Sequence, residues 1–118
     1  MLQINTSFMP YRLVLSRKEP VKLKVTIRNA GGEEMLASYE IRLPPMLSLD
    51  KSGFRGAHTN RIGSFASGAE ITEYFEIHAR PMTQKGEHTI NIKAYEHYNN
   101  YEFVKRQYKK DLGLVVDE

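Results

Sequence analysis

Val21-Lys22-Leu23-Lys24-Val25-Thr26-Ile27-Arg28-Asn29, followed by Ala30-Gly31-Gly32, decides how the rest of the chain reads. Val21, Leu23, Val25 and Ile27 alternate with Lys22, Lys24, Thr26 and Arg28, so one face is apolar and the other polar and charged. A period of two sends successive side chains to opposite faces of a strand, one against a core and one into water. The Asn-Ala-Gly-Gly segment supplies residues that tolerate positive φ, and predicts a chain reversal there.

The same period recurs on both sides of this stretch. From Met35 to Leu43, Ala37, Tyr39, Ile41 and Leu43 alternate with Ser38, Glu40 and Arg42, until Pro44-Pro45 ends the run because proline donates nothing to a ladder. Upstream, Tyr11 to Ser16 reads as a first strand with Leu13 and Leu15 on one face, and residues 1–10 as an N-terminal extension or edge strand. Met46, Leu47 and Leu49 suggest a short crossing segment, and Asp50 to Asn60 a long irregular loop with room for a short edge strand. Ile62 and Phe65 form an apolar pair before a turn at Ser67-Gly68. Ile71, Phe75, Ile77 and Ala79 share the inward phase of the next strand. Glu73 falls on that phase too, which predicts a strand end or a bulge. Ile90, Ile92 and Ala94 mark another strand, followed by a turn at His97-Tyr98-Asn99-Asn100. Tyr101 to Lys110 allows two readings, a short helix with Tyr101, Val104 and Tyr108 on one face, or an extended connection. Leu112, Leu114 and Val116 close the chain with a last strand. About seven half-buried strands and no amphipathic helix predict two antiparallel sheets packed face to face, an all-β sandwich.

A chain of 118 residues is most simply one domain, here taken as 1–118, and buries roughly two-thirds of its unfolded surface without crosslinks. With no cysteine there are neither disulfides nor thiolate metal sites. The 17 basic and 14 acidic residues give a net charge of +3, and they interleave along the strands. That pattern favours a solvated mixed surface over a nucleic-acid footprint. No apolar run reaches the length of about twenty residues that a membrane-spanning helix needs. Met1 to Thr6 lacks the basic start and unbroken apolar stretch of a signal peptide. Two locations follow: extracellular or cell-surface for a module of a longer chain, cytoplasmic for a complete one.

Three segments in order resemble the CARDB-type, cell-adhesion-related modules and the related Ig-like modules of archaeal and bacterial surface proteins. They are Val25-Thr26-Ile27-Arg28-Asn29-Ala30-Gly31-Gly32, Ile62-Gly63-Ser64-Phe65-Ala66-Ser67-Gly68, and Gly86-Glu87-His88-Thr89-Ile90-Asn91-Ile92-Lys93-Ala94. The resemblance covers roughly Tyr11 to Val116. It implies an Ig-like sandwich and a non-enzymatic spacer or interaction domain, often one unit of a longer surface protein. Many of those modules carry an acidic, Asn-rich loop between their last two strands. Here Glu96 and Asn99-Asn100 stand among His97, tyrosines and basic residues, so no calcium site is carried over.

The residues themselves offer no catalytic constellation, cofactor site or metal site. His58, His78, His88 and His97 lack ligand spacing, although His78 and His88 lie on consecutive strands and are candidates to face each other across a hairpin. No serine sits in a Gly-x-Ser-x-Gly elbow, and Gly63 to Gly68 lacks the lysine and helix of a phosphate loop. The most unusual composition is Tyr95, Tyr98, Tyr101, Phe103 and Tyr108 with Lys105 and Arg106. Aromatics supply contact area at low entropic cost and basic residues add steering, so this segment is the candidate binding surface. Another protein or a neighbouring domain is the first partner class. Carbohydrate, or single-stranded nucleic acid stacked on the rings, is the alternative over 95–110.

Overall fold

The computed structural model describes residues 1–118. It contains nine strands: β1 (Leu2–Met9), β2 (Arg12–Val14), β3 (Val21–Asn29), β4 (Met35–Arg42), β5 (Leu47–Ser48), β6 (Ala57–Phe65), β7 (Glu70–Ala79), β8 (Gly86–Tyr98) and β9 (Asn100–Asp117), with one 3-10 turn at Leu15–Arg17. One sheet has the order β1-β3-β7-β5 and the other β2-β9-β8-β4-β6. The all-β sandwich is as the alternation requires, but with nine strands instead of seven. Residues 1–10 contribute β1, an edge strand beside β3. The end of the expected loop, residues 57–60, pairs with β4 and merges into β6. Of the two readings open for Tyr101 to Lys110 the extended one holds: the segment runs unbroken into the last strand as β9.

Connectivity explains why the alternation is so regular. Strands β1 to β8 alternate between the two sheets at every connection, and only β8 and β9 follow one another within one sheet. Each crossing strand must face the opposite layer, so each carries an apolar side. Val21, Leu23, Val25 and Ile27 of β3 meet Tyr39 and Ile41 of β4, Ile90 and Ile92 of β8, and Leu114 and Val116 of β9 in a single core. Burying such side chains contributes about 1.5–3 kcal/mol each before chain entropy is subtracted.

Two local expectations are corrected. The Asn29 to Gly32 segment crosses to the other sheet without positive φ at Asn29, Gly31 or Gly32. Its chemistry lies in the Asn29 side chain, which is fully buried. Asn29 Nδ2 donates to the carbonyls of Glu33 (2.8 Å) and Phe65 (2.9 Å), and Oδ1 accepts from Gly31 N–H at 3.0 Å. One amide thus clamps the β3–β4 crossing to the end of β6. Gly31 serves close approach instead of a turn: a Cβ there would lie 2.8 Å from the Met1 nitrogen.

Glu73 does not interrupt β7, whose register with β3 is continuous from Ile77 to Glu70. The carboxylate lies where β6 and β7 leave the side of the sandwich part-open, and Asn60 Nδ2 donates to it. An inward acid needs a donor more than it needs a bulge. The neighbouring Tyr39 hydroxyl is fully buried and has no hydrogen-bond partner. Burial first, then the nearby Glu73 carboxylate, pushes the Tyr39 phenol far above its ordinary range.

Candidate interaction surface on the final hairpin

The β8–β9 hairpin is longer than the sandwich needs. Strand β2 covers the free side of β9 only from Val115 to Asp117, and all residues from Glu102 to Gln107 are exposed. The molecule is correspondingly long, 47 × 24 × 19 Å. Asn99, with φ of 64°, makes the turn between the strands, a conformation that asparagine tolerates better than most residues. Near that turn the ladder shifts register twice. Glu96 faces Arg106, His97 faces Val104 and Tyr98 faces Asn100, leaving Lys105 and residues 101–103 without cross-strand partners.

These shifts divide the aromatic-basic segment into separate groups. Tyr95 lies on the outer face of β8 and donates its hydroxyl to Glu40 Oε1 at 2.5 Å. Burial, then this carboxylate, pushes its pKa up to about 12. Tyr101 folds over the same face: its ring lies 5.0 Å from His97 in an edge contact, and the Arg61 guanidinium sits 4.6 Å from its centroid. Arg61 is brought there by a bulge in β6. Ala37 pairs Gly63 and Ser38 pairs Arg61, so Ile62 is extra and Gly63 takes φ of 84°. Tyr108 points the other way, packing against the core with its hydroxyl 3.5 Å from Glu96 Oε2. Lys105 Nζ approaches the other Glu96 oxygen at 3.7 Å. Tyr98 (62% exposed), Phe103 (53%) and Val104 (52%) remain open to solvent at the tip. Lys105, Arg106 and Tyr98 line a cleft of about 740 Å³ between this tip and the Gly31–Leu36 crossing.

The seven side chains of the aromatic-basic segment do not share one surface in the fold. Only Tyr98, Phe103, Lys105 and Arg106 present themselves together near the tip, joined by Val104. The residue that organises this face is His97, which stands outside that set and is almost fully buried. Its Nδ1 is 3.2 Å from the Phe103 carbonyl and its Nε2 is 2.6 Å from Ser38 Oγ. A carbonyl only accepts, so Nδ1 carries the proton and Nε2 accepts the Ser38 hydroxyl. His97 therefore fastens the distal part of β9 to β4 through β8. No local signal marks Ser38 or Arg61, which reach this face only through strand register. Glu96 was detectable, because it continues the inward phase of Ile90, Ile92 and Ala94.

His78 and His88, candidates to face each other across a hairpin, do not meet. Strands β7 and β8 lie in different sheets. His78 Nε2 is 3.9 Å from Glu76, and His88 Nε2 lies 2.8 Å from the Gln84 carbonyl. No cluster of three or more histidine or carboxylate side chains is arranged to hold a metal ion. No helix is long and apolar enough to cross a membrane.

No family model matches the sequence, and no curated protein matches it significantly. Solved structures do match. The chain is similar to self-complemented MyfA, the major subunit of Myf fimbriae from Yersinia enterocolitica, with TM-score 0.57 and 12% identity over 98% of this chain and 99% of that one. The same subunit in complex with galactose matches with TM-score 0.55 and 12% identity over the same shares. At this identity the likeness is one of fold.

Proposed function

We propose that the chain is a non-catalytic β-sandwich module that works through protein–protein contacts within a larger surface or multidomain protein, as the CARDB-like segments imply. The observation that carries this reading is the distal hairpin, which leaves the packed core and exposes Tyr98, Phe103 and Val104 beside Lys105 and Arg106. Exposed aromatic and apolar groups with arginine at hand are the composition of interface anchors. The fold likeness to a fimbrial major subunit accords with an extracellular structural role. A photo-crosslinking residue at Phe103, compared with one at Thr72 on the opposite sheet, tests the reading in cells that produce the protein. A discrete protein adduct at 103 and none at 72 is the expected result. Adducts equal at both positions, or none at 103, would reject it.

A second reading is carbohydrate binding at the same tip, favoured by the galactose complex of the structurally similar subunit. Arg61 already occupies one face of Tyr101, so Tyr98 is the ring free to stack on a sugar. Galactose and a glycan panel, titrated by NMR with and without Tyr98→Ala, separate the two readings. Nucleic acid ranks behind both, and a steep salt dependence of binding would mark it.

A further inference from the structure

The sandwich ends in several open strand edges; β2 and β5 are only 3 and 2 residues long, and every other edge but β1 carries guards among its own residues. Unpaired edges invite other strands, and proteins blunt them with charges, bulges and prolines. β6 carries Arg61 and the bulge at Ile62-Gly63. β7 presents Glu70 and Glu76. The open part of β9 carries Lys105, Arg106, Lys109 and Lys110 and two register shifts. β1 is different. Its 8 residues, Leu-Gln-Ile-Asn-Thr-Ser-Phe-Met, include no charge and no proline, and its register with β3 is unbroken from Leu2 to Met9.

The direction of its free groups follows from one bond. Ala30 N–H donates to the Met1 carbonyl at 2.8 Å, so odd-numbered residues of β1 face β3. Leu2, Ile4, Thr6 and Phe8 then point their N–H and C=O groups away from the sheet. Lys110 Nζ, 3.3 Å from the Ile4 carbonyl, confirms that direction.

We propose that this edge is a self-association site, on which β1 of a second copy pairs antiparallel about a two-fold axis at Asn5. In that register Leu2 lies opposite Phe8 of the second copy and Ile4 opposite its Thr6, so outward groups meet outward groups. The inner face brings Leu2 against Phe8 and Ile4 against the methyl-bearing Thr6. On the outer face Gln3 meets Ser7 and Asn5 meets Asn5, and no like charges oppose each other within the paired strands. A second copy is favoured over a charged partner strand because an uncharged, self-complementary edge offers such a strand no pairing of charges. The resulting sheet runs β5-β7-β3-β1-β1-β3-β7-β5. Lys110 is the gate. It must release the Ile4 carbonyl, and its ammonium approaches its counterpart, so salt strengthens the dimer by screening. This site is separate from the hairpin tip, and either can fail alone.

Sedimentation velocity on the whole chain is the test, at concentrations up to about 1 mM, where an association worth only about 4 kcal/mol is still visible. Wild type is expected to dimerise, more so in high salt, and Lys110→Met to dimerise several-fold more tightly. Thr6→Pro removes an outward N–H while sparing the β1–β3 ladder, and is expected to weaken the dimer at least tenfold. Asn5→Lys and Asn5→Glu are each expected to be monomeric and to dimerise when mixed. Their side chains replace an exposed one, so they decide the matter even where Thr6→Pro unfolds. Monomer throughout in wild type and Lys110→Met would overturn the proposal. So would a dimer indifferent to Thr6→Pro, a mixture no tighter than either Asn5 variant, or a dimer lost on Phe103→Ser instead.

Discussion

From Leu112 to Val116, β9 buries every second side chain against the opposite sheet; from Glu102 to Gln107, every residue of the same strand is exposed. Both halves are tied to β8, the distal one only through Val104, Arg106 and Gln107. The difference lies in what covers them. Leu112, Leu114 and Val116 sit in the common core, whereas the distal half is held by its ladder and by the link from Phe103 through His97 to Ser38. One strand thus serves as scaffold at one end and as a presented surface at the other. Hydrogen bonding alone extends a strand, and burial decides what it is for.

The contrast predicts the largest effect at Leu114, which is fully buried. Leu114→Ala removes core volume that the neighbouring strands cannot refill, and is expected to cost about 2–5 kcal/mol in urea unfolding. Phe103→Ser, only eleven residues upstream in the same strand, is expected to change stability by less than about 0.5 kcal/mol. Comparable losses at the two positions would mean that the tip is packed in solution and the division of β9 is wrong.

A smaller effect tests the link that holds the distal half. Ser38→Ala removes the hydroxyl that His97 Nε2 accepts and leaves a buried ring nitrogen unpaired, a cost of about 1–3 kcal/mol. Amide exchange should locate the loss. Protection near Phe103 and Val104 is expected to fall more than at Leu112 and Leu114. Uniform loss along β9 would show that Ser38 supports the sandwich as a whole and not the hairpin.

The same contrast explains what the sequence revealed. Periodicity is a record of one-sided burial, so β3, β4 and the Leu112–Val116 end of β9 were plain from Val21, Ala37 or Leu114 and their alternate neighbours. Residues 102–107 have no buried side, hence no period, and a helix and a strand were equally compatible with Tyr101, Val104 and Tyr108. Residues 57–60 read as loop or short edge strand for a related reason: β6 lies at an edge, and His58 and Asn60, not apolar residues, are its half-buried positions. The Asn29 to Gly32 segment was correctly singled out but for backbone freedom, when its side-chain amide does the clamping. The tyrosines stand out by composition, yet three of them are committed elsewhere: Tyr95 to Glu40, Tyr101 to Arg61 and His97, Tyr108 to the core. Such commitments depend on strand register, which a single sequence does not display.

The smallest effect concerns two phenols, one on each side of the division. Tyr39 belongs to the core, with a buried hydroxyl that has no partner and a pKa pushed up by burial and by Glu73. Tyr95 stands at the root of the hairpin, with its pKa pushed up to about 12 by burial and by Glu40. An unfolded phenol ionises near pH 10. Because both folded values are raised, the stability they confer is complete below about pH 10 and is lost as pH rises through the folded values. For Tyr95 that window runs from about 10 to about 12, and for Tyr39 it extends further. Tyr39→Phe removes the partnerless hydroxyl and is expected to raise neutral-pH stability by about 1 kcal/mol while flattening the alkaline loss. Ultraviolet titration at alkaline pH should then retain the late-ionising phenol near 12 and lose the one that waits for the core to open. A Tyr39→Phe protein less stable by about 1 kcal/mol at neutral pH would show instead that the hydroxyl is hydrogen-bonded in solution. Glu73, the half-buried acid beside it, is the acceptor it would then have found.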